Sequence, residues 1–362
     1  MTPTILLTND DGPPSDESPF IYSFTQTLIE NFLGNDPKRL KVLIPDSQKS
    51  WIGKAYLIKE RIRVKRFDPT KGEVGKLSNG QSEVEGSDYE DRCWYVANGT
   101  PASCSNIGLF NLFPGKIDLV ISGPNFGRNT SRAFSLSSGT LGAALDAALS
   151  DHPSIALSYG IHQRPISDSI VSAAHSISIK IIQILWATGF KKTSKSSDKD
   201  DDSPDLYSIN IPLVPAIIES EPKVVWTFES PTRYGRLFLP DDERPDRSST
   251  PTKPAEIDER SKDLQAQAPS LLRNRSDHAD GGDGLTGRGS ELEFLFKPDI
   301  SALIDPNSSH HPVGSDAWAH NRGYCSVTPL KASFRNVNPP TIASQNSFQN
   351  ITPADRIRFW NL

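Results

Sequence analysis

The sequence predicts an α/β fold, a three-layer Rossmann-like mostly parallel sheet with a β-rich C-terminal extension. Three observations carry that expectation. In the first half, short apolar runs alternate with helix-periodic segments at the spacing of βαβ units, which calls for a parallel sheet covered by helices on both faces. Each of the first four strands is followed by a polar loop rather than by a hairpin turn. Beyond residue 190 the alternation gives way to short strand-like pieces separated by polar tracts.

Taken in order, Ile5 to Leu7 is the first strand and Leu40 to Ile44 (LKVLI) the second. Between them Phe20, Ile21, Phe24, Leu28 and Phe32 recur at helical spacing, with Ser18 as the expected N-cap and Pro19 at the first helical position. Trp94 to Ala97 is the third strand. Thr100 then caps, and Pro101 opens, a helix through Ile107 and Phe110, before Ile117 to Ile121 forms the fourth strand. From Ser138, the residues Leu141, Ala144, Leu145, Ala148 and Leu149 make a helix, and Ile155 to Leu157 a strand. A long helix spans about Ser167 to Ala187, with Gly189 beyond its end. Leu206 to Ile211, Val224 to Phe228, Leu292 to Phe296 and Tyr324 to Thr328 are strand-like and supply the extension.

Composition limits what the chain can be. With 362 residues, 36% hydrophobic and 23% charged, it can fill a large core, but 29 prolines and a mean hydropathy of -0.44 leave part of it outside that core. Residues 1-239 are expected to form the core with a polar loop at 191-205. Residues 240-290 form an insert too poor in apolar side chains to order, 291-330 return to the same domain, and 331-362 form a tail. A net charge of -5 argues against coating nucleic acid, and no sequence-specific nucleic-acid binding is expected. No run of 18 apolar residues is present and the N-terminus lacks a basic leader, which predicts a soluble, cytoplasmic chain without membrane association. Cys93, Cys104 and Cys325 have neither disulfide-framework nor zinc spacing.

In a parallel sheet the loops after the strands emerge at one edge, so their polar residues converge. After the first strand comes Thr8-Asn9-Asp10-Asp11-Gly12, where adjacent carboxylates repel unless a cation lies beside them; a hard ion such as Mg²⁺ or Mn²⁺ prefers such oxygens. After the second comes Pro45-Asp46-Ser47-Gln48-Lys49-Ser50, and after the third Asn98-Gly99-Thr100-Pro101, a turn into a helix N-terminus. After the fourth comes Ser122-Gly123-Pro124-Asn125-Phe126-Gly127-Arg128-Asn129. Each piece taken singly also reads as an ordinary turn or cap. Lys49 and Arg128 are the candidate cations for an anionic ligand, and His320 is a histidine that could approach the site, whereas His152, His162 and His175 read as structural or surface residues.

The ordered blocks TNDDG, PDSQKS, NGTPASC, SGPNFGRN, SSGTLGAAL and GSDAWAHNRGYCSVTPL resemble those of the SurE survival-protein family, whose members are metal-dependent phosphatases of nucleoside 5′- and 3′-monophosphates. The resemblance covers residues 4 to 160 well, and 206 to 239 and 292 to 330 in patches. The SGPNFGRN block is similar to the fungal branch, where the domain is often fused to a tubulin-tyrosine-ligase-like domain; no such second domain is expected in these 362 residues. It implies metal ligands at Asp10, Asp11, Ser50 and Asn125, catalytic roles for Asp10, Asp11 and Asn9, and phosphate-binding roles for Asn9, Thr100, Asn129, Ser138 and Gly139. It further implies a divalent metal, Mg²⁺ or Mn²⁺, a nucleoside monophosphate or other small phosphomonoester as substrate, and a homodimer or dimer of dimers. Ser103 and Pro124 depart from the family wording, and the Ser47 to Lys54 loop carries Trp51 and Lys54 where small residues are usual. The alternative reading is a catalytically weak phosphate-binding or structural module derived from such a fusion.

Overall fold

Short apolar runs can be central strands only if helices cover both of their faces, and that is how the chain folds. The computed structural model describes residues 2–75, 94–190, 203–240, 294–305 and 311–334. In chain order the strands are β1 (Ile5–Thr8), β2 (Leu40–Pro45), β3 (Val64–Asp68), β4 (Glu73–Gly75), β5 (Trp94–Ala97), β6 (Leu119–Phe126), β7 (Ser154–Ile161), β8 (Leu206–Leu213), β9 (Val224–Trp226), β10 (Phe238–Pro240), β11 (Phe294–Phe296) and β12 (Cys325–Leu330). Ten of them form one sheet in the order β4-β3-β5-β2-β1-β6-β7-β8-β12-β9. The run from β5 through β8 is parallel throughout, and β3, β4 and β12 bring antiparallel pairing to its two sides.

Alternate residues of each central strand feed the two layers. Ile5, Leu7, Val42, Ile44, Leu119 and Ile121 pack with the helices Ile21–Asn31 and Asp168–Ile184, while Leu6, Leu43 and Val120 pack with Cys104 and Leu109 on the other face. The helix Asp168–Thr188 is long and apolar enough to cross a bilayer by length, and half of that stretch is buried in this core.

The sheet order turns at β1: the chain adds β2 on one side and β6 on the other. At such a switch point the loops beyond the carboxyl ends of the two strands part and leave a crevice. Asn9-Asp10-Asp11 and Asn125 lie at that crevice.

Several expectations change in detail. The helix after β1 begins at Ile21, with Phe20 at its N-cap and no capping side chain. Ser18 instead donates its hydroxyl to the Gly12 carbonyl at 2.9 Å and so serves the turn after β1. The cap expected at Thr100 is present, and Ser138 and Ser167 cap their helices in the same way, each hydroxyl accepting a backbone N–H in the first turn. β3 and β4 escaped sequence reading because only Phe67 of β3 is buried; a charged edge strand has little apolar pattern to show. β6 runs through Phe126, five residues beyond the expected end, because its register against β7 shifts between Ser122 and Asn125 and the ladder then resumes. Gly123 sits in that bulge at φ +125, and a Cβ there would lie 2.1 Å from the Leu157 carbonyl oxygen, so only glycine fits. The β-rich C-terminal portion is present, but β8, β12 and β9 extend the main sheet and only β10 and β11 pair apart from it. The insert at 241–290, the tail from 335 and Cys93 lie outside the described residues.

Candidate active site

Asp10 and Asp11 follow β1 after Asn9 and are 2% and 4% exposed, so two neighbouring carboxylates are buried together. The turn that holds them is built by Asn9. Its amide donates to the Gly12 carbonyl (2.8 Å) and the Ser18 hydroxyl (3.2 Å), and its oxygen accepts the Gly12 N–H (3.1 Å). Asp10 Oδ1 accepts the Thr140 hydroxyl at 2.5 Å, and Asp11 Oδ2 accepts the Phe126 N–H at 2.7 Å. Asp10 therefore faces the first turn of the helix Gly139–Leu149, where unpaired N–H groups and the helix dipole favour negative charge. That approach depends on Gly139, since a Cβ there would stand 2.8 Å from the Asp10 Cβ and 3.1 Å from the Lys49 carbonyl oxygen.

Burial pushes the Asp10 carboxyl up to about 6 despite the Thr140 hydroxyl and amide groups that favour its ionised form. Burial and then the Asp10 charge hold Asp11 well above the ordinary carboxylate range. No lysine or arginine forms an ion pair with either among the described residues. Protonation or a bound cation would relieve the pair, and the donors that could hold a cation are hard oxygens: two carboxylates, the Ser50 hydroxyl and the Asn125 amide oxygen, which stays unpartnered among the described residues while Nδ2 donates to the Gly127 carbonyl at 2.7 Å. Among the described residues no cluster of three or more His, Cys, Asp or Glu is formed, so neutral oxygens must complete any ligand set.

A cavity of about 520 Å³ opens over this cluster. Its polar floor includes Asp10, Ser50, Asn125, Asn129 and Ser138, bringing together five of the residues expected from sequence. Asn129 is fixed by its Nδ2 on the Ser158 hydroxyl (2.9 Å) and its N–H on Asn210 Oδ1 (2.7 Å). Asp11 and Gly139 stand behind the floor. Like Gly139, two further expected phosphate residues do not line the cavity. Asn9 is committed to the turn, and Thr100 caps its helix and donates to the Ala55 carbonyl at 2.7 Å, tethering the loop that carries Ser50. Lys49 also turns away: its Nζ donates to the Ser47 hydroxyl at 2.8 Å, and its N–H binds the Asp10 carbonyl.

The opposite wall was hidden from sequence reading. Trp51 lies edge-on to Phe134 and Phe296, with ring centroids 5.9 and 5.2 Å away, and Leu239, Pro298 and Ile304 complete an apolar roof. Arg236 and Lys297 place cations at its rim. Apart from Trp51 and Phe134, which adjoin the motif blocks, these residues come from chain segments flanking the 241–290 insert. The one available signal was Trp51 in a loop otherwise rich in polar residues.

Comparison with known proteins agrees with this architecture. A crystal structure of SurE protein from Aquifex aeolicus superposes with a TM-score of 0.54 and 21% identity, covering 92% of this chain and 95% of that one, a likeness of fold. The Saccharomyces cerevisiae protein named probable tubulin–tyrosine ligase PBY1 is 31% identical over 364 residues, and the chain spans 92% of its own length but 41% of that protein's. The 5′-nucleotidase SurE of Methanocaldococcus jannaschii is 32% identical over 211 residues, 58% of this chain and 66% of that one. The protein family described as Survival protein SurE matches residues 5–235. With that match spanning well over half of its length, and the carboxylate pair at the head of the matched segment, the chain belongs to the SurE family.

Proposed function

We propose that the chain is a divalent-metal-dependent phosphomonoesterase whose substrates are nucleoside 5′- or 3′-monophosphates. The observation that carries the reading is the buried Asp10–Asp11 pair, set against a helix N-terminus beside an open cavity that Asp10 lines, with no lysine or arginine paired to it among the described residues. Asp10, Asp11, Ser50 and Asn125 are the proposed ligands of Mg²⁺ or Mn²⁺. When bound, such an ion neutralises phosphate charge and acidifies a water.

The protein's own groups do the rest. Ser138 and the amides of the helix Gly139–Leu149 receive phosphate oxygens, and Asn129 orients them from the loop after β6. The aromatic roof takes the nucleoside, whose planar base suits edge and face contacts with Trp51, Phe134 and Phe296. Water attacks phosphorus as the ester P–O bond breaks in line with it; orthophosphate leaves with the water's oxygen, and the alcohol leaves with a proton. The relatives named 5′-nucleotidase support the same reaction class.

A second reading is a phosphate-binding module within a longer protein, favoured by the yeast relative, which bears a ligase name and is more than twice as long. One experiment separates the two: a panel of nucleoside 5′- and 3′-monophosphates and an aryl phosphate, assayed with Mg²⁺, Mn²⁺ or EDTA. Turnover that EDTA abolishes supports the enzyme. Phosphate binding without turnover of any ester in either metal sinks it in favour of the module.

A further inference from the structure

Of the three cations that line the cavity among the described residues, Arg236 and Lys297 are exposed and Arg128 is half-buried. It follows the β6 bulge, and its remaining exposed surface faces the cavity floor beside Asn125 and Asn129. Burial lowers its pKa to about 10, well above neutrality, so the group stays charged. Its Nη1 donates to Asn321 Oδ1 at 2.7 Å and lies 3.4 Å from His320 Nδ1. Among the described residues no carboxylate comes within ion-pair distance of it. Asp316, whose charge attracts it, spends its oxygens on the N–H groups of Ser131, Ser230 and Ala317.

The support beneath the guanidinium is closely packed. Asn321 and His320 end the helix Asp316–Asn321, and the His320 ring stacks on His162 with centroids 4.6 Å apart and planes at 17°. That ring occupies the space over Gly160, where a Cβ would fall 1.7 Å from Nε2. A guanidinium has five donors in a planar fork, and among the described residues only one nitrogen of Arg128 is engaged. A half-buried cation held by a neutral amide and a neutral imidazole, with Asp316 acting on it only at a distance and no ion pair formed among the described residues, has donors left that suit an oxyanion.

We propose that Arg128 grips the substrate's phosphate oxygens from the side of the cavity formed by β6, and that Asn321 and His320 are positioning residues that hold its plane while leaving its charge uncompensated. The inference rests on the phosphomonoesterase reading and names the residue that would recognise the phosphate.

Asn321→Asp gives the decisive test. It keeps the shape and the hydrogen bond to Arg128 but adds the missing negative charge, so a purely structural link is kept or strengthened while an oxyanion is repelled. Affinity for inorganic phosphate is measured by titration calorimetry on the full chain with Mn²⁺, alongside melting temperature and the KM and kcat for an aryl phosphate. Asn321→Asp is expected to weaken phosphate binding about 10- to 100-fold and raise KM, with an unchanged or higher melting temperature. Arg128→Ala is expected to lose as much, and Arg128→Lys to recover part of it. Phosphate affinity within twofold of wild type in Asn321→Asp and Arg128→Ala overturns the proposal, as does a wild-type chain that binds no phosphate. A wild type that hydrolyses esters while its variants keep full affinity refutes the Arg128 role alone. A wild type that binds phosphate through Arg128 but hydrolyses nothing keeps that role and refutes the enzyme.

Discussion

Individual side chains carry most of the testable chemistry. Asp10→Asn and Asp11→Asn are each expected to lower turnover by at least about a hundredfold, because metal assistance contributes several kcal/mol to the transition state. Both variants should fold: an amide oxygen can still accept from Thr140 or from the Phe126 N–H. In EDTA neither should melt below wild type, since each relieves a buried like-charge pair. Full activity in Asp11→Asn would remove that carboxylate from the mechanism. His175 gives a second residue-scale expectation. Its ring bonds the Tyr159 hydroxyl at 2.8 Å and the Ser23 hydroxyl at 2.9 Å, and burial lowers its pKa to about 4. The folded state therefore keeps it neutral while the unfolded chain takes up a proton below about pH 6.5. Stability is lost as pH falls from there toward 4, by up to about 3 kcal/mol for a shift of this size. Asp316, raised to about 6 by burial, works the other way and gains stability as pH falls below 6. The His175 share is thus read as a difference. Denaturant unfolding of His175→Gln should show a smaller acid loss than wild type between pH 6.5 and 4, and parallel pH profiles would refute the assignment.

At the scale of elements, the site is a β-strand end pressed against a helix N-terminus, and the spacing between them is set by a missing side chain. Gly139→Ala favours the helix by propensity but drives a methyl to 2.8 Å from the Asp10 Cβ, so Asp10 or the helix must shift. Displacements below 1 Å matter for in-line chemistry, and turnover should fall at least about tenfold with a modest change in melting temperature. Wild-type turnover in this variant would show that the contact relaxes at no cost to geometry. The elements also show why pattern reading succeeded where it did. The central strands and the helices capped by Thr100, Ser138 and Ser167 announce themselves, because apolar runs and capping hydroxyls are local signals. β3 and β4 give no such signal, and the bulge that carries β6 on to Phe126 depends on its fit to β7.

For the whole molecule, the described surface leaves apolar side chains without cover: Val224 and Trp226 on the edge strand β9, Phe228 beyond it, and Phe238 and Phe294 on the β10–β11 pair. An exposed edge of this kind is an association surface unless something covers it. The full chain is expected to be a dimer or larger at micromolar concentration, with the 335–362 tail contributing. Truncation after Ala332, which spares the Ala332 N–H bond to Asp205, should weaken the assembly. Light scattering that finds a stable, active monomer for the full chain would refute this. The sequence alone determined the alternation that makes the parallel sheet, and the loops at its carboxyl edge with Asp10, Asp11, Ser50, Asn125 and Ser138, because strand and helix periodicity and turn chemistry are written within a few residues of one another. Only the tertiary structure decided that Asn9 and Thr100 serve the scaffold, that Thr140 and Gly139 govern Asp10, and that Trp51, Phe296 and Arg128 close the cavity. Those assignments depend on which hydrogen bonds each side chain has left to give once the chain has packed, from 3 residues away for Asn9 and 45 for Thr100 to 130 for Thr140, and apolar or capping patterns do not record that.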